Sequence, residues 1–270
     1  MSTSQPWQEI QHFTHALTQR LGKKLLEDFG AATPEEKNDG SLVTQSDIWA
    51  DRALCDAITQ QFPEHGILAE ESNQTFPDTE WCWAIDPIDG TTNFSRGIPA
   101  WGISLGLLYR GTPVFGLLHF PPIHQTFHGF WAGETGLEMP KGAFVNGEPI
   151  QVSTDRPSGN HLFSFCSRSL TWVQHPFPCK VRMVGAATYN LLTVASGVTL
   201  GAVEATPKIW DIAGVYPILQ AAGATWVFLD SALSFPLIPA KDYSQVAWPS
   251  LVVAREALVD VFQKRLAVSL

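Results

Sequence analysis

The chain has 270 residues, 45% of them hydrophobic and 16% charged, enough for one large domain or two joined halves around a core. Its net charge of −9 argues against nucleic acid and anionic membranes as partners, because either would need a basic surface. Cys55, Cys82, Cys166 and Cys179 form no CxxC pair and fit neither a zinc site nor a disulfide framework, so they read as reduced thiols of a cytoplasmic protein.

Gln8, Glu9, Gln11 and His12 stand where an export signal would need an apolar run. Phe13, Leu17, Leu21 and Leu25 recur every four residues, predicting an amphipathic helix that ends near Gly30. The polar stretch 31–41 predicts an exposed, mobile loop. A second helix is expected from about Ser46, with Leu54, Ile58 and Phe62 on its buried side and Pro63 as its stop. Ile67–Ala69 reads as a strand ending at Glu70-Glu71, and Trp81–Ile85 as another ending at Asp86. Ile103–Tyr109, Val114–Phe120 and Gln125–Trp131 predict an antiparallel sheet. The uncharged segment from Gly111 to Gly133 holds three prolines and three histidines and is no membrane span. Val145-Asn-Gly-Glu predicts a tight hairpin, because Asn-Gly suits the positive dihedrals such a turn needs. Beyond Val152 the elements alternate. Strands are expected at Leu162–Cys166, Gly201–Ala205 and Thr225–Leu229, with helices at Tyr189–Ser196, Asp211–Ala222 and Arg255–Leu266. Pro217 should kink the helix that contains it. Two α/β halves, 1–150 and 151–270, form the simplest architecture.

Acidic groups fall where elements begin or end: Asp47, Glu70, the pair Asp86/Asp89, and Asp211. Two readings stay open on the residues alone. Aspartates at turns and helix starts serve as caps. Five converging carboxylates would instead repel one another unless cations neutralise them, and such hard oxygen donors suit Mg²⁺, Mn²⁺ or Ca²⁺ better than zinc. Gly90-Thr-Thr then lets the backbone approach a ligand, and N–H groups at a short helix start can cradle phosphate. Cation ligands and phosphate donors within one DxxDGT stretch are what metal-assisted phosphate ester hydrolysis requires.

Asp86-Pro-Ile-Asp-Gly-Thr-Thr-Asn-Phe94 resembles the first signature of the inositol monophosphatase family. Leu42-Val-Thr-Gln-Ser-Asp47, Ala69-Glu-Glu-Ser72, Lys141-Gly-Ala-Phe-Val-Asn-Gly147 and Trp210-Asp-Ile-Ala-Gly214 match further family motifs in order, as does Ala221-Ala-Gly223. The resemblance implies a layered αβαβα sandwich, with an antiparallel-rich N-terminal sheet and a smaller C-terminal α/β half. It also implies a homodimeric, lithium-sensitive phosphatase using two to three Mg²⁺ ions, with Mn²⁺ able to substitute. Carried over by position, Glu70, Asp86 and the Ile88 carbonyl would hold a first metal, and Asp86, Asp89 and Asp211 a second. Glu70 would also face a third. Gly90 and Thr91 would give N–H groups to the phosphate, while Thr91 and Asp47 would orient and deprotonate the attacking water. Glu204 would bind substrate hydroxyls, Gly185 and Ala187 would line the substrate, and Lys37 matches a lysine of the family's flexible loop. Ala69, Ala186, Thr188 and Pro217 depart from the family pattern, Ala186 and Thr188 altering the pocket wall, but none removes a metal ligand.

Several residues have plainer readings. His119, His124 and His128 lie on or near a hairpin whose residues alternate faces, which predicts surface or packing roles instead of a metal cluster. Trp81, Trp83, Trp101 and Trp210 are expected to pack in the core or an interface. Glu71 should point away from Glu70. The expected activity is hydrolysis of a small polyol or sugar phosphate, with inositol monophosphate first and histidinol phosphate as the runner-up. The alternative from another class is a metal-binding regulatory protein without turnover.

Overall fold

Apolar runs such as Leu105–Leu108 and Val114–Leu118 have no polar face, and the computed structural model, which describes residues 5–37 and 40–268, shows that they are covered on both sides. From the N-terminus come α1 (Gln5–Asp28), the pair β1 (Glu35–Glu36) and β2 (Leu42–Val43), α2 (Gln45–Gln61), β3 (Gly66–Ala69) and β4 (Trp81–Asp89). They are followed by α3 (Thr91–Arg96), β5 (Gly102–Tyr109), β6 (Thr112–Phe120), β7 (Gln125–Phe130), β8 (Gly142–Val145) and β9 (Glu148–Pro149). Strands β3 to β9 form one seven-stranded sheet in sequence order, antiparallel except for the β3–β4 pair.

The rest of the chain supplies β10 (Leu162–Phe165), β11 (Lys180–Arg182), α4 (Ala187–Ala195), β12 (Gly201–Glu204), α5 (Ile209–Ala222), β13 (Thr225–Phe228), β14 (Ser250–Val253) and α6 (Val259–Gln263). Its five strands run in the order β11-β10-β12-β14-β13. α1 and α2 cover one face of the large sheet around Leu17, Leu21, Leu54, Ile58, Trp83 and Phe115. α4 and α5 fill the space between the two sheets. Phe262 of α6 closes the far side, its ring 4.5 Å from that of Phe163 on β10. The result is the expected αβαβα layering.

Close backbone approach sets the position of α5. A Cβ on Gly116 of β6 would run into the Gly214 carbonyl oxygen, and one on Gly106 of β5 would come within 2.6 Å of the Ala213 carbonyl carbon. Only glycine lets the helix lie this near the sheet. Pro217 sits buried inside α5, which runs through it from Ile209 to Ala222. The helix gives up one internal hydrogen bond there while packing on both sides sustains it.

Other expectations need correction. Within the loop expected to be exposed and mobile, Glu35 and Glu36 are exposed but pair with Val43 and Leu42, while Asn38 and Asp39 lie outside the described residues. β14, which pairs with both β12 and β13, went unread because Ser250–Val253 is too short to show a period. The final helix is only Val259–Gln263, preceded by a 3₁₀ turn. The Asn-Gly hairpin is present, with Asn146 and Gly147 both at positive φ. No helix among the described residues is long and apolar enough to cross a membrane.

His119 and His128 do pack, while His124 is exposed. His119 Nδ1 lies 2.8 Å from Thr126 Oγ1, and His128 Nε2 lies 2.9 Å from Gln11 Nε2 of α1. Burial, aided by His15, lowers both pKa values to about 4. The unfolded chain binds protons at these rings near the ordinary histidine pKa, so their contribution to stability is complete above about pH 6.5 and declines towards pH 4. Melting temperatures of the native chain and of a His119→Gln/His128→Gln variant should therefore diverge in slope across this window, the variant being the less acid-sensitive.

Candidate active site

In a regular strand, residues three apart point to opposite faces. Asp86 and Asp89 escape this rule through a β-bulge. Asp86 pairs with Ser104 and Asp89 with Gly102, so β4 carries one residue more than β5 over that interval. The extra residue rotates Asp89 back to the face of Asp86. Pro87 suits such a place, having no N–H to donate to the ladder. The Asp86 carboxylate accepts the Ile88 N–H at 2.9 Å, which fixes the bulge from within. The motif is thus the end of a strand, and the strand does not stop at Ile85 as expected.

Neighbouring elements bring the remaining acids. The Glu70 N–H donates to the Ile85 carbonyl at 3.1 Å, placing Glu70 beside Asp86 at the ends of two parallel strands. Asp211 lies in the first turn of α5, where its carboxylate accepts the Lys208 N–H at 2.6 Å. Oxygens of Asp86, Asp89 and Asp211 all lie within 4.8 Å of one another. Burial, followed by the charge of neighbouring carboxylates, raises Asp86 well above the ordinary range and Asp211 to about 8. Burial also raises Glu70 to about 7, against the pull of Lys37. The crowding that raises Asp86 and Asp211 favours a retained proton where the carboxylates meet. The set is all oxygen and is joined by no histidine or cysteine among the described residues. Such a donor set fits a hard divalent cation, whose charge would replace that proton.

Gly90 follows at φ 89° and caps α3. A Cβ there would lie 3.0 Å from the Ala100 carbonyl oxygen and 3.2 Å from the Ala186 Cβ, so the turn admits only glycine. Thr91 Oγ1 lies 3.0 Å from Asp47 Oδ1 and 3.1 Å from the Ile88 carbonyl oxygen. The other Asp47 oxygen accepts the Thr44 N–H and hydroxyl at 2.7 and 2.5 Å, closing a capping box at the start of α2.

Lys37 Nζ bridges Glu70 at 2.9 Å and Glu71 at 2.5 Å. Burial opposes its charge, but the two carboxylates more than offset this and raise its pKa. The expectation that Glu71 faces away from Glu70 was wrong. Both follow β3 in a turn, where strand alternation no longer applies.

On the opposite wall, Gly185 stands at φ 86° against the Asn93 side chain. The Ala187 N–H donates to Asp89 Oδ1 at 3.1 Å. The Thr188 N–H and hydroxyl both donate to Asp89 Oδ2, the N–H at 2.9 Å. Glu204, at the end of β12, is buried, and its Oε1 accepts the Asn190 amide at 2.7 Å. Burial, followed by the nearby Cys166 thiol, pushes Glu204 well above its ordinary pKa. Sequence reasoning placed Thr188 only on the pocket wall and missed Asn190. A threonine in the first turn of a helix was the available signal for the former. Trp83, Trp101 and Trp210 are buried, and Trp81 stacks on His65, as core packing requires.

A model described as the inositol monophosphatase family matches residues 6–258. An inositol-1-monophosphatase of Synechocystis is 35% identical over 201 residues, 70% of this chain and 67% of the relative. A histidinol-phosphatase of Chlorobaculum parvum is 29% identical over 218 residues, 77% of this chain and 81% of the relative. The Thermotoga maritima IMPase structure aligns with a TM-score of 0.78 at 26% identity, covering 95% of this chain and 96% of that one. With its acidic centre at the junction of two sheets, the chain belongs to the inositol monophosphatase family of metal-dependent phosphatases, enzymes that hydrolyse phosphomonoesters.

Proposed function

We propose that the chain is a Mg²⁺-dependent phosphatase whose substrate is inositol monophosphate. The observation that carries this reading is the convergence of Asp86, Asp89 and Asp211 beside the Gly90 turn. In this reading Glu70, Asp86 and the Ile88 carbonyl hold one cation, and Asp86, Asp89 and Asp211 hold a second. Glu70 also faces a third, weaker position. When bound, Mg²⁺ supplies the positive charge that neutralises the phosphoryl oxygens and acidifies the attacking water.

The chain's own residues then position and move protons. Gly90 and Thr91 offer backbone N–H groups to the phosphate. The Thr91 hydroxyl donates a hydrogen bond to Asp47 Oδ1, which leaves an oxygen lone pair free to orient water for in-line attack; as that lone pair takes the water proton, the hydroxyl proton passes to Asp47. Thr44 holds the other Asp47 oxygen, so the carboxylate cannot swing away. Glu204, with one oxygen tied to Asn190, is the group that would receive substrate hydroxyls, with Gly185 and Ala187 lining the substrate. The halves 1–150 and 151–270 divide this labour, the first supplying most cation ligands and the second Asp211 and the substrate wall. A homodimer, lithium sensitivity and a cytoplasmic setting complete the reading, the last supported by four free thiols.

Histidinol phosphate is the second reading, because the Glu204 carboxylate could also receive an ammonium group. Phosphate release from inositol, histidinol, fructose and adenosine phosphates, with Mg²⁺ and with or without Li⁺, decides between them. The highest kcat/KM is expected for inositol monophosphate, and a higher value for histidinol phosphate would replace the first reading by the second. Asp89→Asn should abolish release from every substrate while circular dichroism stays native; undiminished turnover would overturn the catalytic assignment. Thr91→Val should lower kcat by about a hundredfold with a smaller change in KM. Because the ligand carboxylates hold protons above their usual range, Mg²⁺ must displace them. Calorimetric Mg²⁺ affinity should therefore rise between about pH 6 and pH 8, with protons released to the buffer.

A further inference from the structure

Asp89 is the one carboxylate of the cluster whose two oxygens are both engaged by the other half of the molecule. Oδ1 accepts the Ala187 N–H, and Oδ2 accepts the Thr188 N–H and hydroxyl. These donors stand in the first turn of α4, 98 and 99 residues away in sequence. Thr188 is wholly inaccessible to solvent, and Asp89 is 5% exposed.

The first turn of α4 is itself held in place from several sides. The Asn93 amide donates to the Ala100 carbonyl at 2.7 Å and to the Val184 carbonyl at 2.9 Å, fixing the approach to the helix. Asn190, two residues beyond Thr188, donates to Glu204 and accepts the Val184 N–H at 3.3 Å. A buried carboxylate with three donors from a fixed turn has little rotational freedom. Two of the donors are backbone groups that any residue would supply. The third, the Thr188 hydroxyl, is a property of this side chain, and it stands where the sequence departs from its family resemblance.

We propose that Thr188 is a positioning residue whose hydroxyl holds the Asp89 carboxylate in the orientation that binds the divalent cation. The inference rests on the cation-dependent reading above. Without the hydroxyl, Oδ2 keeps only one donor and the carboxylate gains a freedom that must be lost again when the cation binds. Removal of such an outer partner commonly costs ten- to a hundredfold in metal affinity. The same helix turn orients Glu204 through Asn190, so cation and substrate groups are aligned by one rigid element.

The test is titration calorimetry of the full chain, freed of metal and without substrate, with Mg²⁺ and with Mn²⁺. Thr188→Val keeps the shape and removes the hydroxyl; Thr188→Ser keeps the hydroxyl and removes the methyl. Thr188→Val should bind cation about tenfold more weakly at an unchanged melting temperature of the metal-free protein, while Thr188→Ser should bind within about twofold of the native chain. Thr188→Ala supplies the same comparison if the valine variant does not fold. Native affinity in a folded Thr188→Val or Thr188→Ala protein would overturn the inference, as would an equal loss in Thr188→Ser. Failure of the native chain itself to bind either cation would remove the cation-dependent reading and this inference with it.

Discussion

Mutual repulsion among buried carboxylates governs the active site. Oxygens of Asp86, Asp89 and Asp211 meet within 4.8 Å, with Glu70 beside them. Such a set persists without cations only by retaining protons. The remainder of the fold holds these groups together against that repulsion. A bulge in β4 turns two of them to one face, a parallel strand end presents the third, and a helix start delivers the fourth. None could relax away without disturbing a buried sheet or helix.

The two sheets do not merely adjoin. Asp89 belongs to the large sheet, yet its carboxylate is held by the first turn of α4, and Ser104 of β5 reaches the Trp210 carbonyl at 3.3 Å beside Asp211. Opening the junction would break these polar contacts along with the apolar packing between the sheets. Lys37 adds an electrostatic tie on the loop side, where its ammonium partly balances Glu70 and Glu71. A cation near Glu70 and this ammonium compete for the same negative charge.

Much of this was legible from the residues. Helix periodicity located α1 and α2, the Asn-Gly pair located the hairpin, and the DxxDGT stretch located the acidic centre. The bulge was not legible, because Pro87 marks a turn and a bulged strand equally well. Glu71 was misread because strand alternation was extended two residues past the strand. β14 was too short to carry a period, and its place beside β12 depends on pairing across a long excursion of chain. Thr188 shows the limit most clearly: its partner lies 99 residues away, a relation no local pattern encodes.

The contact of α5 with glycines 106 and 116 bears on how such enzymes diversify. Where backbone rests on backbone there is no side chain to lengthen or trim, so the spacing between helix and sheet is not adjustable by ordinary substitution. Asp211 inherits that spacing, and with it the gauge of the acidic centre. New preferences among phosphorylated molecules must then arise at the periphery, in turns such as 183–187. Chemistry and selectivity thereby sit on parts of the chain with different freedom to vary.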